Sequence, residues 1–265
     1  FSIKKTIIYS DKRFTYETAQ SIIEKKSGLF AKELLLLNKI SVALKKKRQK
    51  KGSINFESRE VKFVLDKNKK PINVSLKNSL STNSLIEEFM LLANKTVAKH
   101  IGFPKKQAKN FIYRVHDSPD QEKINTLNNV VKKFGYYVDS SSDKKLSSSL
   151  NILLEKAKGK NEQLLVETMV LRSMAKAVYS SNNFGHFGLS FGYYSHFTSP
   201  IRRYPDLIVH RLLDSYFNNV DSIDRAYLDR SCRHCSEMEK QATNAERDSI
   251  KYMQAVFLKD KIGES

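Results

Sequence analysis

Pro200 and Pro205 bracket the pair Arg202-Arg203 within His196-Phe197-Thr198-Ser199-Pro200-Ile201-Arg202-Arg203-Tyr204-Pro205-Asp206-Leu207-Ile208-Val209-His210-Arg211-Leu212-Leu213, and this stretch restricts the backbone more than any other. Proline fixes its own φ, donates no amide hydrogen bond and pushes the preceding residue out of helical conformation, so each proline marks a boundary. Ser199 before Pro200 predicts a helix opening: the hydroxyl can accept an orphan amide, and proline at the first helical position gives up a donor that had no partner. Pro205 then either restarts the helix or kinks it at Tyr204. Beyond it, Leu207, Ile208, Leu212 and Leu213 supply a face to bury.

That opening places Arg202 and Arg203 in the first turn, two cations against the positive end of a helix dipole, which costs stability unless an anion sits there too. Free amides plus a guanidinium fork describe a phosphate site. Two neighbouring arginines cannot point the same way, so one can hold Asp206 while the other faces substrate. The alternative is a pair of surface arginines with a nearby salt bridge.

The charge balance bears on the choice. The 265 residues carry 47 Lys and Arg against 28 Asp and Glu, a formal charge of +19 with no acidic tail, which implies a polyanionic partner. Nucleic acid leads. A membrane surface is second, but no apolar run approaches spanning length, and Phe1-Ser2-Ile3-Lys4-Lys5 reads as strand rather than presequence, so a cytoplasmic protein with no membrane association is expected. An apolar content of 40% supports a real core. With no linker or internal repeat in view, one domain and a monomer are expected.

Patterning predicts a helix-rich chain with short β segments. Lys5–Ser10 reads as a strand, and Thr15 caps a helix through Ile23. Ala31 to about Lys47 forms a second helix with Leu34, Leu35, Leu37, Ile40, Val42 and Leu44 inward. The run Lys45-Lys46-Lys47-Arg48-Gln49-Lys50-Lys51 ends it; this reads as a solvated helix end complementing the dipole, with phosphate-backbone contact as the alternative. Ser53–Phe56, Val61–Leu65 and Pro71–Lys77 read as strands around an Asn68-Lys69 turn. Ser81 or Asn83 opens a long helix on which Glu87 and Glu88 point to different azimuths, so one can face solvent while the other reaches a site. Phe111–His116 is a strand, helices follow at Asp117–Val131, Leu146–Ala157 and Glu162–Tyr179, and Ser222 to about Lys259 is one amphipathic helix. Phe184–Tyr194 alternates glycine with aromatics; it suits either a narrow channel for bases or a buried strand and tight turn.

Cys232 and Cys235 sit three apart, yet both fall on the stripe Leu228, Cys232, Cys235, Met238, Ala242, Ala245, which has the spacing of one helix face. They read as core cysteines, with no second pair of soft ligands to complete a zinc site.

The arginine stretch closely resembles the signature of the ribonuclease II and ribonuclease R family, processive 3′-to-5′ exoribonucleases built on the RNB catalytic domain. Ile54-Asn55-Phe56 running into Val61–Leu65, then Leu85-Ile86-Glu87-Glu88-Phe89-Met90-Leu91-Leu92-Ala93-Asn94, then Asn244-Ala245-Glu246-Arg247-Asp248, resemble that family in its own order. The likeness spans the chain and is nearer to ribonuclease R. It implies an α+β fold, the helix-rich C-terminal part of an RNB-type domain over residues 1–265, with short antiparallel β segments.

The resemblance also implies chemistry. Arg202 is similar to an arginine on the scissile or neighbouring phosphate, where a bidentate donor outperforms lysine. Glu246 resembles a glutamate at the catalytic centre, placed to orient Arg202 or the terminal nucleotide. Tyr16 and Glu87 resemble residues gripping the 3′-terminal nucleotide, a carboxylate on a 2′-hydroxyl being one way to prefer RNA. Phe56 resembles an aromatic that stacks on terminal bases, and Arg203 is a further RNA contact. The family hydrolyses single-stranded RNA with Mg2+ and releases nucleoside 5′-monophosphates. Its metal-binding aspartates are expected outside this chain, upstream of Phe1 in a missing N-terminal part of the same polypeptide, as are the flanking oligonucleotide-binding modules. Neither Asp117 with Asp120 nor Asp221, Asp224 and Asp229 is dense enough for a two-metal site. The rival expectation is a non-catalytic RNA-binding remnant of such an enzyme.

Overall fold

In the computed structural model, residues 6–55, 60–77, 79–103, 108–218 and 223–259 are described. The fold is α+β, dominated by helices, and the chain divides into two compact units: Phe1–Lys45 with Asn78–Phe89, and Lys46–Lys77 with Met90–Ser265.

The smaller unit contains α1 (Tyr16–Lys25), most of α2 (Ala31–Lys50) and the start of α3 (Ser81–Gly102). Thr15 opens α1 as expected, its hydroxyl accepting the Thr18 amide at 3.1 Å. The start of α3 is held by α1: the Gln20 side-chain carbonyl accepts from the Ser81 hydroxyl at 2.8 Å and the Thr82 amide at 3.2 Å. Asn83 reaches back to accept the Leu80 amide at 2.9 Å. Two segments of this unit depart from their sequence pattern. Thr6–Ser10 is irregular and exposed rather than a strand, because no ladder partner lies beside it among the described residues; Lys5 lies outside them. On α2, Leu37, Ile40 and Val42 are exposed, since this unit is too thin to cover more than one side of that helix.

The larger unit begins with the hairpin β1 (Glu60–Leu65) and β2 (Pro71–Lys77), antiparallel with Phe63 opposite Val74. Asp66 accepts the Asn68 and Lys70 amides in the turn, which places Lys69 at φ 62°. Ser53–Asn55, expected as strand, is irregular, and Phe56 lies outside the described residues.

The main core is built by α4 (Gln121–Val131), α5 (Asp143–Ala157) and α6 (Gln163–Ser173), which bury Ile124, Leu127, Leu150, Leu153, Val166 and Val170. Asp120 and Ser142 cap the first two through the Glu122 and Lys145 amides. The helix expected over Glu162–Tyr179 stops at Ser173. Met174 turns extended and Val178–Ser180 becomes β4, pairing antiparallel with β3 (Tyr113–Val115), so tertiary pairing overrides the helical pattern. Against β4 lies α8 (Arg225–Lys259), whose inner face buries Leu228, Cys232 and Cys235; α7 (Tyr204–Phe217) also meets α8.

Candidate functional site

The predicted helix opening at Ser199-Pro200 is instead a turn, closed by the Arg202 and Arg203 amides on the Ser199 carbonyl at 3.3 and 3.0 Å. Pro205 restarts the chain as a helix, α7, with Arg203 at its N-cap. Neither arginine therefore lies in the first helical turn. The reason is Asp206: fully buried, it accepts the Ser199 amide and Arg203 Nη2, both at 2.8 Å, and this closure fits the turn better than a continuous helix would.

The two arginines separate as their adjacency requires. Arg203 holds Asp206 and remains 24% exposed, while Arg202 is exposed and, among the described residues, its guanidinium makes no hydrogen bond or ion pair. Both line a cavity of about 360 Å³ with Tyr179, Tyr204, Met238 and Glu239. Behind it, Arg203 Nε and Asp206 Oδ2 are buried with no hydrogen-bond partner among the described residues.

The loop before the turn is held by α3. Buried Asn94 accepts the Phe197 and Thr198 amides at 3.0 and 3.2 Å and donates to the Tyr194 hydroxyl at 3.2 Å. His210 adds a second hold, stacking on Phe197 at 4.3 Å and bonding its carbonyl at 2.9 Å.

The far wall follows from strand alternation. Tyr113 and Val115 point into the core, so Arg114 points to the other face, where its register partner on β4 is Tyr179. The guanidinium lies 4.6 Å from that ring's centroid and forms a bidentate pair with Glu239 of α8 at 2.6 and 2.9 Å. The Tyr179 hydroxyl meets His196 Nδ1 at 2.8 Å. Burial pushes the Tyr179 hydroxyl up, and pushes His196 down to about 3 with help from Arg203, so the imidazole is neutral at pH 7. Glu239 is occupied by Arg114 and Asp206 by Arg203, which leaves Arg202, among the described residues, as the cation of this cavity without a charge partner.

The remaining predicted residues fall elsewhere. Glu246 is exposed and does not line the cavity; it follows Glu239 by seven residues, nearly two turns on the same side of α8 and about 10 Å further along its axis. Tyr16 and Glu87 both belong to the smaller unit and both are exposed, whereas Glu88 turns inward and is buried. Phe56 lies outside the described residues. Sequence reasoning missed Asn94, Arg114, Tyr179 and Glu239. Glu239 did leave a signal, a carboxylate at i+4 from Cys235 inside an otherwise apolar stripe.

Gly185 and Gly188 of the glycine-aromatic stretch sit where a side chain would be strained or crowded. Gly185 has φ 88°, and a side chain at Gly188 would meet the His116 ring at 2.9 Å, where the Gly188 amide donates to His116 Nδ1 at 3.0 Å. Cys232 and Cys235 are buried free thiols, and burial pushes Cys232 up to about 12. Among the described residues no three His, Cys, Asp or Glu side chains converge to hold a metal ion. The described residues thus do not fit a divalent-ion centre.

Comparison with known proteins gives the family of the chain. The RNB domain model matches residues 1–219. Ribonuclease R of Aquifex aeolicus is 36% identical over 277 residues, covering 100% of this chain and 38% of that protein; ribonuclease R of Thermotoga maritima is 38% identical over 280 residues, with the same coverage. The structure of Mycoplasma genitalium RNase R in complex with ribose-methylated single-stranded RNA superimposes with a TM-score of 0.83 at 27% identity, over 94% of this chain and 40% of that one. The chain belongs to the RNB domain family. It spans 38% of the length of each of these two ribonuclease R relatives.

Proposed function

We propose that the chain is the substrate-gripping part of a 3′-to-5′ exoribonuclease that hydrolyses single-stranded RNA to nucleoside 5′-monophosphates. The observation that carries this reading is Arg202: a guanidinium that, among the described residues, is unpaired and lines a cavity whose other charges are already matched. A phosphate on it would gain a charge-assisted, bidentate contact. Membership of the RNB family and the RNA complex of the Mycoplasma relative support the same partner.

In this reading Arg202 contacts the phosphate, and Arg203 shapes the cavity while presenting its remaining edge. Tyr16 and Glu87 grip the terminal nucleotide, and Phe56 stacks on its base. Glu246, outside the cavity wall, acts on the strand's approach or on Arg202 once RNA is bound. The ligands of the divalent metal, Mg2+ in our reading, belong to polypeptide outside the described residues. We place the protein in the cytoplasm as a monomer; among the described residues no helix is long and apolar enough to cross a membrane.

The test is degradation of 5′-labelled single-stranded RNA with Mg2+, by this chain and by the chain joined to an upstream RNB segment. Stepwise shortening from the 3′ end by the joined form, abolished in Arg202→Ala, is expected. RNA binding with no shortening in either form would favour the non-catalytic remnant.

A further inference from the structure

Part of the basic run at the end of α2 does not behave as a scattered, solvated helix end. Lys47 and Lys51 sit four apart, as do Lys95 and Lys99 on α3, so each pair shares a helix face or its continuation. The four come together in the larger unit. After burial itself, the charges of Lys51, Lys47 and Lys99 push the Lys95 ammonium below the ordinary lysine range. Among the described residues, none of the four forms an ion pair with a carboxylate.

Aromatic rings are interleaved with these cations. Lys95 Nζ lies 4.8 Å from the Phe191 ring centroid and Lys99 Nζ 5.5 Å from that of Phe103. Lys51 stands at the rim of a second cavity, of about 440 Å³, whose wall includes Phe184, Phe187 and Phe191. Phe103 and Phe184 are 56% and 57% exposed. Gathered like charges and bare rings both cost free energy, and one ligand chemistry relieves both: phosphates at regular intervals carrying flat bases.

This second cavity is distinct from the one at Arg202. His116 and His186 line it, and from them a row of rings runs through Tyr194 and His196 to Tyr179 in the first cavity, with successive centroids 5.0, 5.4, 5.7 and 5.6 Å apart.

We propose that single-stranded RNA makes a second contact here, with phosphates on Lys47, Lys51 and Lys99 and bases on Phe103 and Phe184. The proposal rests on the RNA reading above and adds where the body of the strand lies.

The test is RNA affinity measured by fluorescence anisotropy across a salt series, using oligomers of about 4 and about 16 nucleotides. The unmodified chain is compared with the triple variant Lys47→Gln, Lys51→Gln, Lys99→Gln, whose sites are all exposed, and separately with Phe184→Ala. For the long oligomer the triple variant is expected to bind about tenfold more weakly, with a salt slope shallower by about 2, near 0.7 for each phosphate no longer neutralised. Phe184→Ala should weaken binding at an unchanged slope, and the triple Lys→Arg variant should bind like the unmodified chain. If the unmodified chain binds the long oligomer and the glutamine variant matches its affinity and slope, the second contact is refuted while the Arg202 reading stands. A weaker affinity at an unchanged slope refutes the phosphate contacts. Binding to anionic vesicles but to neither oligomer refutes both readings.

Discussion

Replacing Asp206 by Asn isolates the charge that holds the arginine turn together. The amide keeps the size of the carboxylate and can still accept the Ser199 amide through its oxygen, so the change falls on Arg203. That guanidinium keeps an oxygen acceptor, since the same Oδ1 takes both bonds at 2.8 Å, but loses the negative charge opposite it while its Nε is already buried without a partner among the described residues. Breaking a fully buried pair typically costs about 3–5 kcal/mol. Asp206 is completely buried but Arg203 keeps 24% of its side chain in water, which screens part of the loss, so about 2–3 kcal/mol is expected. Urea unfolding followed by circular dichroism measures it, with Arg203→Met and the double variant completing a thermodynamic cycle. The coupling should exceed about 1 kcal/mol. Additive single effects, within about 0.3 kcal/mol, would refute the assignment of Arg203 as a strut on Asp206.

Other perturbations test neighbouring parts. Asn94→Ala orphans two amides and a buried hydroxyl and should cost about 3 kcal/mol or more in the same unfolding assay, because each unsatisfied buried group costs about 1–3 kcal/mol. Arg114→Lys removes the bidentate geometry on Glu239 and the planar contact on Tyr179; with Glu239 well exposed the loss should stay near 1–2 kcal/mol, and RNA affinity should fall with it. His186 and His196 are held down to about 3 against an unfolded value near 6.5, so the unfolded chain binds more protons below that value. Their contribution is fully present above pH 6.5 and is lost progressively as pH falls toward 3, by up to about 1.4 kcal/mol per pH unit for each imidazole. The urea midpoint should therefore fall between pH 7 and pH 5 in the unmodified chain, and fall less in His196→Gln. Cys232 should resist alkylation at pH 8 until the chain is unfolded.

How far the sequence can be read depends on whether local or distant residues decide a segment. The bodies of α4, α5 and α8 are legible because apolar periodicity sits within each segment, as with the stripe through Leu228 and Cys232, whereas their starts shift: Asp120 rather than Asp117 caps α4, and Ser142 opens α5 a turn before Leu146. The α6–β4 boundary is not, because Val178–Ser180 becomes strand only through pairing with Tyr113–Val115, some 65 residues away in sequence. The arginine turn reads as a helix since Ser199-Pro200 fits that local rule; the deciding contact is Asp206 closing back on Ser199. The division of labour between Arg202 and Arg203 is foreseeable from their adjacency alone. Glu239 shows in the sequence only as a carboxylate set among apolar stripe residues, and Arg114 is hidden by the hydrophobic residues on either side of it. Glu246 rests on resemblance, and the geometry sets it beyond the cavity wall.

The central claim is that Arg202 faces the strand while Arg203 faces the protein. The most direct measurement is single-stranded RNA affinity at low salt alongside unfolding free energy for Arg202→Ala and Arg203→Ala. Arg202→Ala should lose about tenfold or more in affinity, as expected for a charge-assisted phosphate contact worth about 1.5–3 kcal/mol, with stability kept within about 0.5 kcal/mol. Arg203→Ala should lose stability first. An Arg202→Ala chain that binds RNA as tightly as the unmodified one, while remaining folded, would contradict the account.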